Sequence, residues 1–429
     1  MSQNTTGDSS PEAPANASAL AGHPLQGVRV LDLGQIYNGP YAGFLLAMAG
    51  ADVLKIEPLG GEALRARGGM TGLAFSMGIL NSNKRGIALN LKSDAGHALF
   101  IELVQQADVV LENFAPGVME RLGLGAERLQ QINPRLIYAS STGYGRSGPD
   151  RDNLAMDLTI QAYSGVMSIN GPADGPPLKA GAAVCDFLGG VHLYGGIVTA
   201  LYERERTGIG RVVEIAMLEA TFPILATSLT GMYNLDGVQP ERRGNAHPAS
   251  ASAPYGVYEA ADGHVAIICV REAHWQRLLE VMQQAGHAQA DSAKDDPRFA
   301  DQKIRGKYSE AVDAVLNAWT RTVNKSEIIE LLRAHNVPVA PVRTLPEVVE
   351  DPHMHSRGTL QRVNHPEFGE VTLPHSPLRF DGEERLPVKP SPRLGEHTYE
   401  VLGDWLDYKQ ADVDALLAQG VMQIGEDDD

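Results

Sequence analysis

Cysteine is nearly absent from this chain: two residues in 429, Cys185 and Cys269. Both lie in apolar runs, AAVCDF and AIICVR. Such a pair supplies neither a disulfide framework nor a thiolate metal site, and reads as buried packing thiols in a reducing compartment. Positive charge is also scarce. With 36 Lys and Arg against 53 Asp and Glu, the formal net charge is −17, which excludes the broad basic footprint of a nucleic-acid or anionic-lipid binder. A few local cations can still hold a small anion. No run of about 18 apolar residues is found, which argues against a bilayer span. The first residues, MSQNTTGDSSPEAPANAS, lack the apolar core of a secretory signal, so a cytoplasmic protein is expected.

Several catalytic signatures are missing too. The turn after the first predicted strand is Gly34-Gln-Ile-Tyr-Asn-Gly39, not G-x-G-x-x-G. That pattern occurs later, as Gly143-Tyr-Gly-Arg-Ser-Gly148, but Pro149 and a polar loop follow it where a dinucleotide site needs a helix. A dehydrogenase is therefore disfavoured, and NAD(H) binding tests it. There is no H-E-x-x-H and no Gly-x-Ser-x-Gly. His353 and His355, two apart in DPHMHSRG, read as a solvated connection, and no metal is expected.

What is present is an ordinary globular composition, 43% hydrophobic and 21% charged. At roughly 150 residues per domain the length predicts two or three domains. Residues 1–24 are polar and aperiodic and read as a disordered tail. From Val28 the pattern alternates. VRVLDL, ADVLKIE, ADVVLEN and RLIYASSTGYG read as strands; YAGFLLAMAG, a segment capped by Ser93 and running to about Gln105, and VMERLGLG read as helices. Short apolar strands between helices predict a parallel, helix-covered, Rossmann-like sheet. A long apolar helix is expected from Gly181 to about Leu201, then a strand at RVVEIAM and another helix. Residues 25–220 make the large domain, 221–244 a linker, and 245–340 a smaller α+β domain. That smaller domain holds a hairpin at VYEAADGHVAIICV and helices over His274–Gln284 and Ser309–His335. Residues 341–429 form a Pro-rich linker and a return to the first domain.

Ligands of open parallel sheets bind beyond the carboxyl ends of the strands. Here those ends read GQIYNGP, IEPLGGE, ENFAPG and SSTGYGRSG, all suited to close approach of backbone to ligand or to plain turns. NSNKRGIALNLK is a local basic patch whose Lys84, Arg85 and Lys92 serve either as phosphate donors or as solvated surface. Asp186 is the most informative residue. It stands in GAAVCDFLGGVHLYGG, where a carboxylate among small and apolar residues must be either paired or used in chemistry. Asp157 in NLAMDLTIQAYSG is a weaker case, Asp32 at a strand end reads as a loop anchor, and His247 in RRGNAHPASASAPYG as a loop residue.

Taken together and in this order, LQGVRVLDLGQIYNGPYAGFLLAMAGADVLKIEPLGG, NSNKRGIALNLKS, ADVVLENFAPGVMERLGLG, INPRLIYASSTGYGRSGP, GPPLKAGAAVCDFLGGVHLYGGIVTALYERERTGIGRVVEIAM and LGEHT resemble the family III CoA-transferases. The resemblance runs from Leu25 to about Leu417. It implies a Rossmann-like large domain built from both chain ends, a smaller domain, and a homodimer whose subunits interlock like rings. It also implies transfer of CoA through an aspartyl anhydride and an aspartyl-CoA thioester, with no tightly bound cofactor and with coenzyme A thioesters as substrates. The family's nucleophile falls on Asp186. Its CoA loops fall on Ile36, Tyr37 and Asn38, on Leu89 and Lys92, and on Asn113, Phe114 and Arg121; Asp157 and Tyr37 fall on auxiliary positions, and Arg65 or Arg67 would add positive charge at CoA. The formyl-CoA:oxalate branch carries Gln at the place of Tyr37 and a glycine-run lid at the place of GNAHPASASAPYG. This implies an acceptor larger than oxalate, a dicarboxylic or aryl-substituted acid with succinyl-CoA as donor. The α-methylacyl-CoA racemases of the same superfamily carry His before the acidic residue, where this chain has Met156, so a racemase or isomerase is the lesser alternative. A non-catalytic CoA-binding protein is the other.

Overall fold

The computed structural model describes residues 22–66, 74–247, 252–382 and 384–425. The chain divides into two compact units. The first takes the chain up to Leu154, Asp186–Ala216, and everything from Pro352; the second takes Ala155–Cys185 and Met217–Asp351.

The first unit is built on a seven-stranded sheet of β1 (Arg29–Asp32), β2 (Asp52–Glu57), β3 (Arg85–Leu89), β4 (Val109–Glu112), β5 (Ile137–Thr142), β6 (Val212–Ala216) and, from the far end of the chain, a short strand Met422–Gln423. The spatial order is Met422–Gln423, β3, β2, β1, β4, β5, β6. All neighbours are parallel except Met422–Gln423, which pairs antiparallel with Leu89 and Ala88. The connecting helices include α1 (Asn38–Met48), α2 (Phe75–Asn81), α3 (Asp94–Gln106), α4 (Val118–Arg121) and α5 (Ala126–Ile132); α6 (Asp157–Tyr163) and α7 (Val166–Ile169) lie in the second unit, and α8 (Val184–Thr207) leads into β6. Ser93 caps α3, its hydroxyl accepting from Gly96 N, as the sequence suggested.

Because side chains alternate across a strand, each strand feeds two cores. Leu31, Leu54, Ile87, Val110 and Tyr138 face a core with Leu99, Phe100, Leu103 and the late residues Val401, Leu402 and Trp405. Val30, Val53, Val109, Leu111, Ile137 and Ala139 face the other, with Ala42 and Leu46 of α1 and Leu193, Ile197, Ala200 and Leu201 of α8. Truncating one of these buried leucines to alanine typically costs about 2–5 kcal/mol. The long apolar helix expected from Gly181 is α8, Val184–Thr207, which by length and composition could cross a membrane although it contains no uninterrupted run of about 18 apolar residues. Its inner face belongs to the sheet core, as in a core helix.

The second unit carries a three-stranded antiparallel sheet, Tyr255–Ala260, Gly263–Ile268 and Val339–Pro341. Helices bury Trp275, Leu278, Val312, Leu316, Trp319 and Leu332 in its core. Residues 309–335 are two helices rather than the one expected, Ser309–Thr320 and Lys325–Ala334. Asn324 turns out to extended backbone, and Asp262 Oδ1 accepts from Lys325 N at 2.7 Å to start the second helix. The basic patch NSNKRGIALNLK is also not simple surface. Its middle is β3, an inner strand buried from Gly86 to Leu89.

Candidate active site

The loop between β1 and α1 lies at the carboxyl edge of the sheet and carries Ile36, Tyr37 and Asn38. It is held from below by buried charges. Asp32 Oδ1 accepts from Gly34 N at 2.7 Å, and its Oδ2 pairs with Lys84 Nζ at 2.7 Å. Lys84 also donates to Pro40 O and Asn81 Oδ1, both at 2.9 Å. Lys55 Nζ donates to Gly34 O and pairs with Glu62 at 2.8 Å. Glu62 Oε2 in turn accepts from Ile36 N at 2.9 Å. Asn113 closes the set, accepting from Gln35 N at 2.7 Å and donating to Gln35 O at 2.9 Å.

This support fixes an unusual backbone: Ile36 has φ +64°. A β-branched residue in the left-handed region is strained, and such strain persists only where the surroundings over-determine it. Burial pulls Lys55 toward neutrality, but the charges of Glu62, Asp32 and Glu57 prevail and lift its pKa above the ordinary lysine value. Lys84 has the opposite balance. Burial, only partly offset by Asp32, pushes it down to about 8. Glu57 is held below its usual range against the pull of burial by Arg65, which binds it through two hydrogen bonds of 2.7 and 2.8 Å.

These pairings correct part of the sequence reading. Lys84 is internal, and Arg85 binds Asp52, Glu400 and Asp404, so neither is a phosphate donor. Arg65 is committed to Glu57 rather than to a ligand, and Arg67 lies outside the described residues. Asp32 anchors the loop as expected. The sequence reading missed Lys55 and Glu62. The signal was present in ADVLKIE, where a lysine inside a buried strand requires an acid partner.

Next to the loop is a cavity of about 370 Å³, within the range of small-ligand sites. It brings together Leu89, Lys92 and Phe114 with Leu33, Gln35 and Leu59. Lys92 is the one cation among its described lining residues. Asn113 is used in holding the loop, and Arg121, exposed at the end of α4, does not line the cavity.

Asp186 lies in the first turn of α8 and is 9% exposed. Gly190, one turn on, lets α8 close on α1: a Cβ there would lie 2.6 Å from Asn38 O. Phe187, 38% exposed, stacks on Tyr37 with ring centroids 6.2 Å apart and meets Tyr41 edge-on at 4.7 Å. The structure thus brings Asp186, Tyr37 and Asn38 to the same end of α1 and α8. Asp157, in the second unit, starts α6; its carboxylate accepts from Cys185 N at 2.8 Å and Gln161 Nε2 at 2.6 Å. Cys185 and Cys269 are buried, and burial pushes the Cys269 thiol up to about 12, so it is inert. Among the described residues no cluster of metal-ligating side chains occurs. The G-x-G-x-x-G at Gly143–Gly148 is a turn after β5 with no helix opening on it.

Comparison with known proteins agrees with this architecture. The sequence model of CoA-transferase family III matches residues 25–398. The succinyl-CoA:mesaconate CoA-transferase of Haloarcula hispanica is 37% identical over 391 residues, 89% of this chain and 96% of that protein. The formyl-CoA:oxalate CoA-transferase of Streptomyces coelicolor is 35% identical over 417 residues, 93% of this chain and 99% of that one. A CAIB/BAIF family protein from Brucella suis has a crystal structure that superposes with a TM-score of 0.79 at 32% identity, covering 89% of this chain and 99% of the other.

Proposed function

The chain belongs to CoA-transferase family III, and on that premise we propose that it moves CoA from succinyl-CoA to a dicarboxylic or aryl-substituted acid, with Asp186 as nucleophile. The observation that carries this is a buried carboxylate at the carboxyl edge of a parallel sheet, one helical turn from a glycine that admits the loop of Tyr37 and Asn38. The donor follows the name of the Haloarcula relative, and both quoted relatives carry dicarboxylates in their names. The half-exposed Phe187–Tyr37 pair beside Asp186 suits an acceptor with a flat, unsaturated or aryl body.

The Asp186 carboxylate adds to the thioester carbonyl. Collapse of the resulting oxyanion expels the CoA thiolate and leaves an acyl–aspartyl anhydride. The thiolate then attacks the aspartyl carbonyl, releasing the donor's acid and forming an aspartyl-CoA thioester. The acceptor carboxylate reverses these steps and departs as the new acyl-CoA. One thioester replaces another, so the exchange is near balance without ATP. Both intermediates hydrolyse, so water must be excluded. The other subunit of an interlocked homodimer would serve this need; 248–251 of the segment expected as a lid lie outside the described residues.

The CoA moiety occupies the cavity at Leu89, Lys92 and Phe114, with Ile36, Tyr37 and Asn38 on its thioester side and Asn113 and Arg121 in support. Asp157 holds the start of α8 rather than reacting, because both its oxygens already accept hydrogen bonds. With Met156 in place of a histidine, this leaves a racemase without its proton-transfer pair. A panel of acyl-CoA donors and carboxylic acids, read by liquid chromatography, tests the reading: new thioesters should form with dicarboxylic or aryl acids, and no transfer to any acid would leave only a CoA-binding protein.

A further inference from the structure

Two buried polar side chains at this edge have no hydrogen-bond partner among the described residues: both amide atoms of Asn38 and the hydroxyl of Ser141. Each residue is 2% exposed. Buried polar groups in folded proteins are almost always paired, so an orphan needs a reason. Neither is needed to build the fold. Asn38 opens an 11-residue helix without capping it, and Ser141 already has its backbone in the β5–β6 ladder.

Their positions converge. Ile137 and Ala139 face the α1/α8 core, so Ser141, two further along β5, faces the same side. Gly196 of α8 is level with Val213, since a Cβ there would meet Val213 Cγ1 at 2.7 Å, and Val213 pairs with Ala139. The four-residue link from Thr207 to Val212 makes α8 run opposite to β6, and hence to β5. Moving about 7 Å along the strand to Ser141 therefore moves back four or five residues along α8, to about residue 191. Asn38 touches α8 at Gly190. α1, like α8, runs opposite to the parallel strands it connects, and the Cα–Cβ bonds of a helix tilt toward its N-terminus, so the Asn38 side chain sets out from the level of Gly190 in the direction of Asp186. The first N–H groups of α1 point the same way, and the helix dipole makes this end favourable for negative charge.

We infer that the Asn38 amide and the Ser141 hydroxyl, at the N-terminus of α1, receive the acyl oxygen that takes up negative charge when Asp186 adds to a thioester. This rests on the nucleophilic reading of Asp186. As the new C–O bond forms, the carbonyl π pair moves onto that oxygen; Asn38 Nδ2 and Ser141 Oγ donate to it, and the pair returns when the thiolate leaves. Groups kept for this moment stay unpaired at rest, which is what a preorganised oxyanion site requires.

The full-length enzyme is compared with Asn38→Ala and Ser141→Ala. Each variant should lower turnover about 100- to 1,000-fold with little change in KM. Unlike the loss of a structural hydrogen bond, each should leave Tm unchanged or raise it, because a buried orphan is removed. CoA affinity, measured by calorimetry in the Asp186→Ala background, should stay within about twofold of the value without the second change, the loss being confined to the chemical step. Turnover within about threefold of wild type overturns the inference. So does a fall in Tm that accounts for the lost activity, or a loss that appears wholly in CoA affinity. If Asp186→Ala itself transfers CoA, the nucleophilic reading fails; if it is inactive while the Asn38 and Ser141 variants work, only the oxyanion site is refuted.

Discussion

Replacing Glu62 by alanine removes two things at once: the partner of a fully buried lysine and the acceptor that holds Ile36 in the left-handed region. Leaving one member of a buried ion pair alone typically costs about 3–5 kcal/mol. At about 2–4 °C per kcal/mol for a unit of this size, the loss corresponds to a fall in Tm of roughly 6–20 °C. Lys55→Met added to Glu62→Ala removes the stranded charge, so the double variant should recover much of that stability. Activity should not recover, because Ile36 N still lacks its anchor and a loop misplaced by about 1 Å can lose ~100-fold in rate. Urea unfolding and steady-state transfer assays on wild type, both singles and the double give the cycle. An unshifted Glu62→Ala midpoint, or a double variant that regains activity with stability, would refute the view that this pair exists to set the loop.

Two further outcomes follow from the same geometry. Gly190→Ala puts a methyl 2.6 Å from Asn38 O, and overpacking against backbone should cost about 1–3 kcal/mol and most of the activity; thermal melts and transfer assays on this variant read both. Lys84 supplies a pH signature. Its folded pKa of about 8 is below its ordinary 10.5, so between these values the unfolded chain holds more proton. The penalty is full below pH 8 and is relieved as pH rises toward 10.5, the reverse of a lysine raised by its partner. Against Asp32→Asn/Lys84→Met, which lacks this titration, wild type should gain about 2 kcal/mol from pH 7 to 10 in urea midpoints. Parallel curves would contradict it.

Much of this was readable in the sequence. The alternation of VRVLDL, ADVLKIE and ADVVLEN with helical segments announced a parallel sheet because period and length are local properties. β3 was hidden because Lys84 and Arg85 look like surface until their partners are known. Those partners, Asp32 on one side and Glu400 and Asp404 on the other, are 52 to more than 300 positions away in sequence. The antiparallel edge strand Met422–Gln423 is two residues long and has no pattern of its own. At the site, Asp186 stood out because a carboxylate in an apolar segment is anomalous by itself. Glu62 did not, since GGEALR reads as an exposed turn. Phe187 also passed unnoticed, because an aromatic beside an acid carries no signal until Tyr37 is seen to stack on it.

The central claim is that Asp186 carries the transferred CoA. Incubation with succinyl-CoA in the absence of acceptor, followed by proteolysis and mass spectrometry, reads this directly. The peptide containing Asp186 should gain a CoA adduct, lose it when an acceptor acid is added, and never form it in Asp186→Ala. An adduct on a different residue, or steady transfer by the alanine variant, would contradict the account.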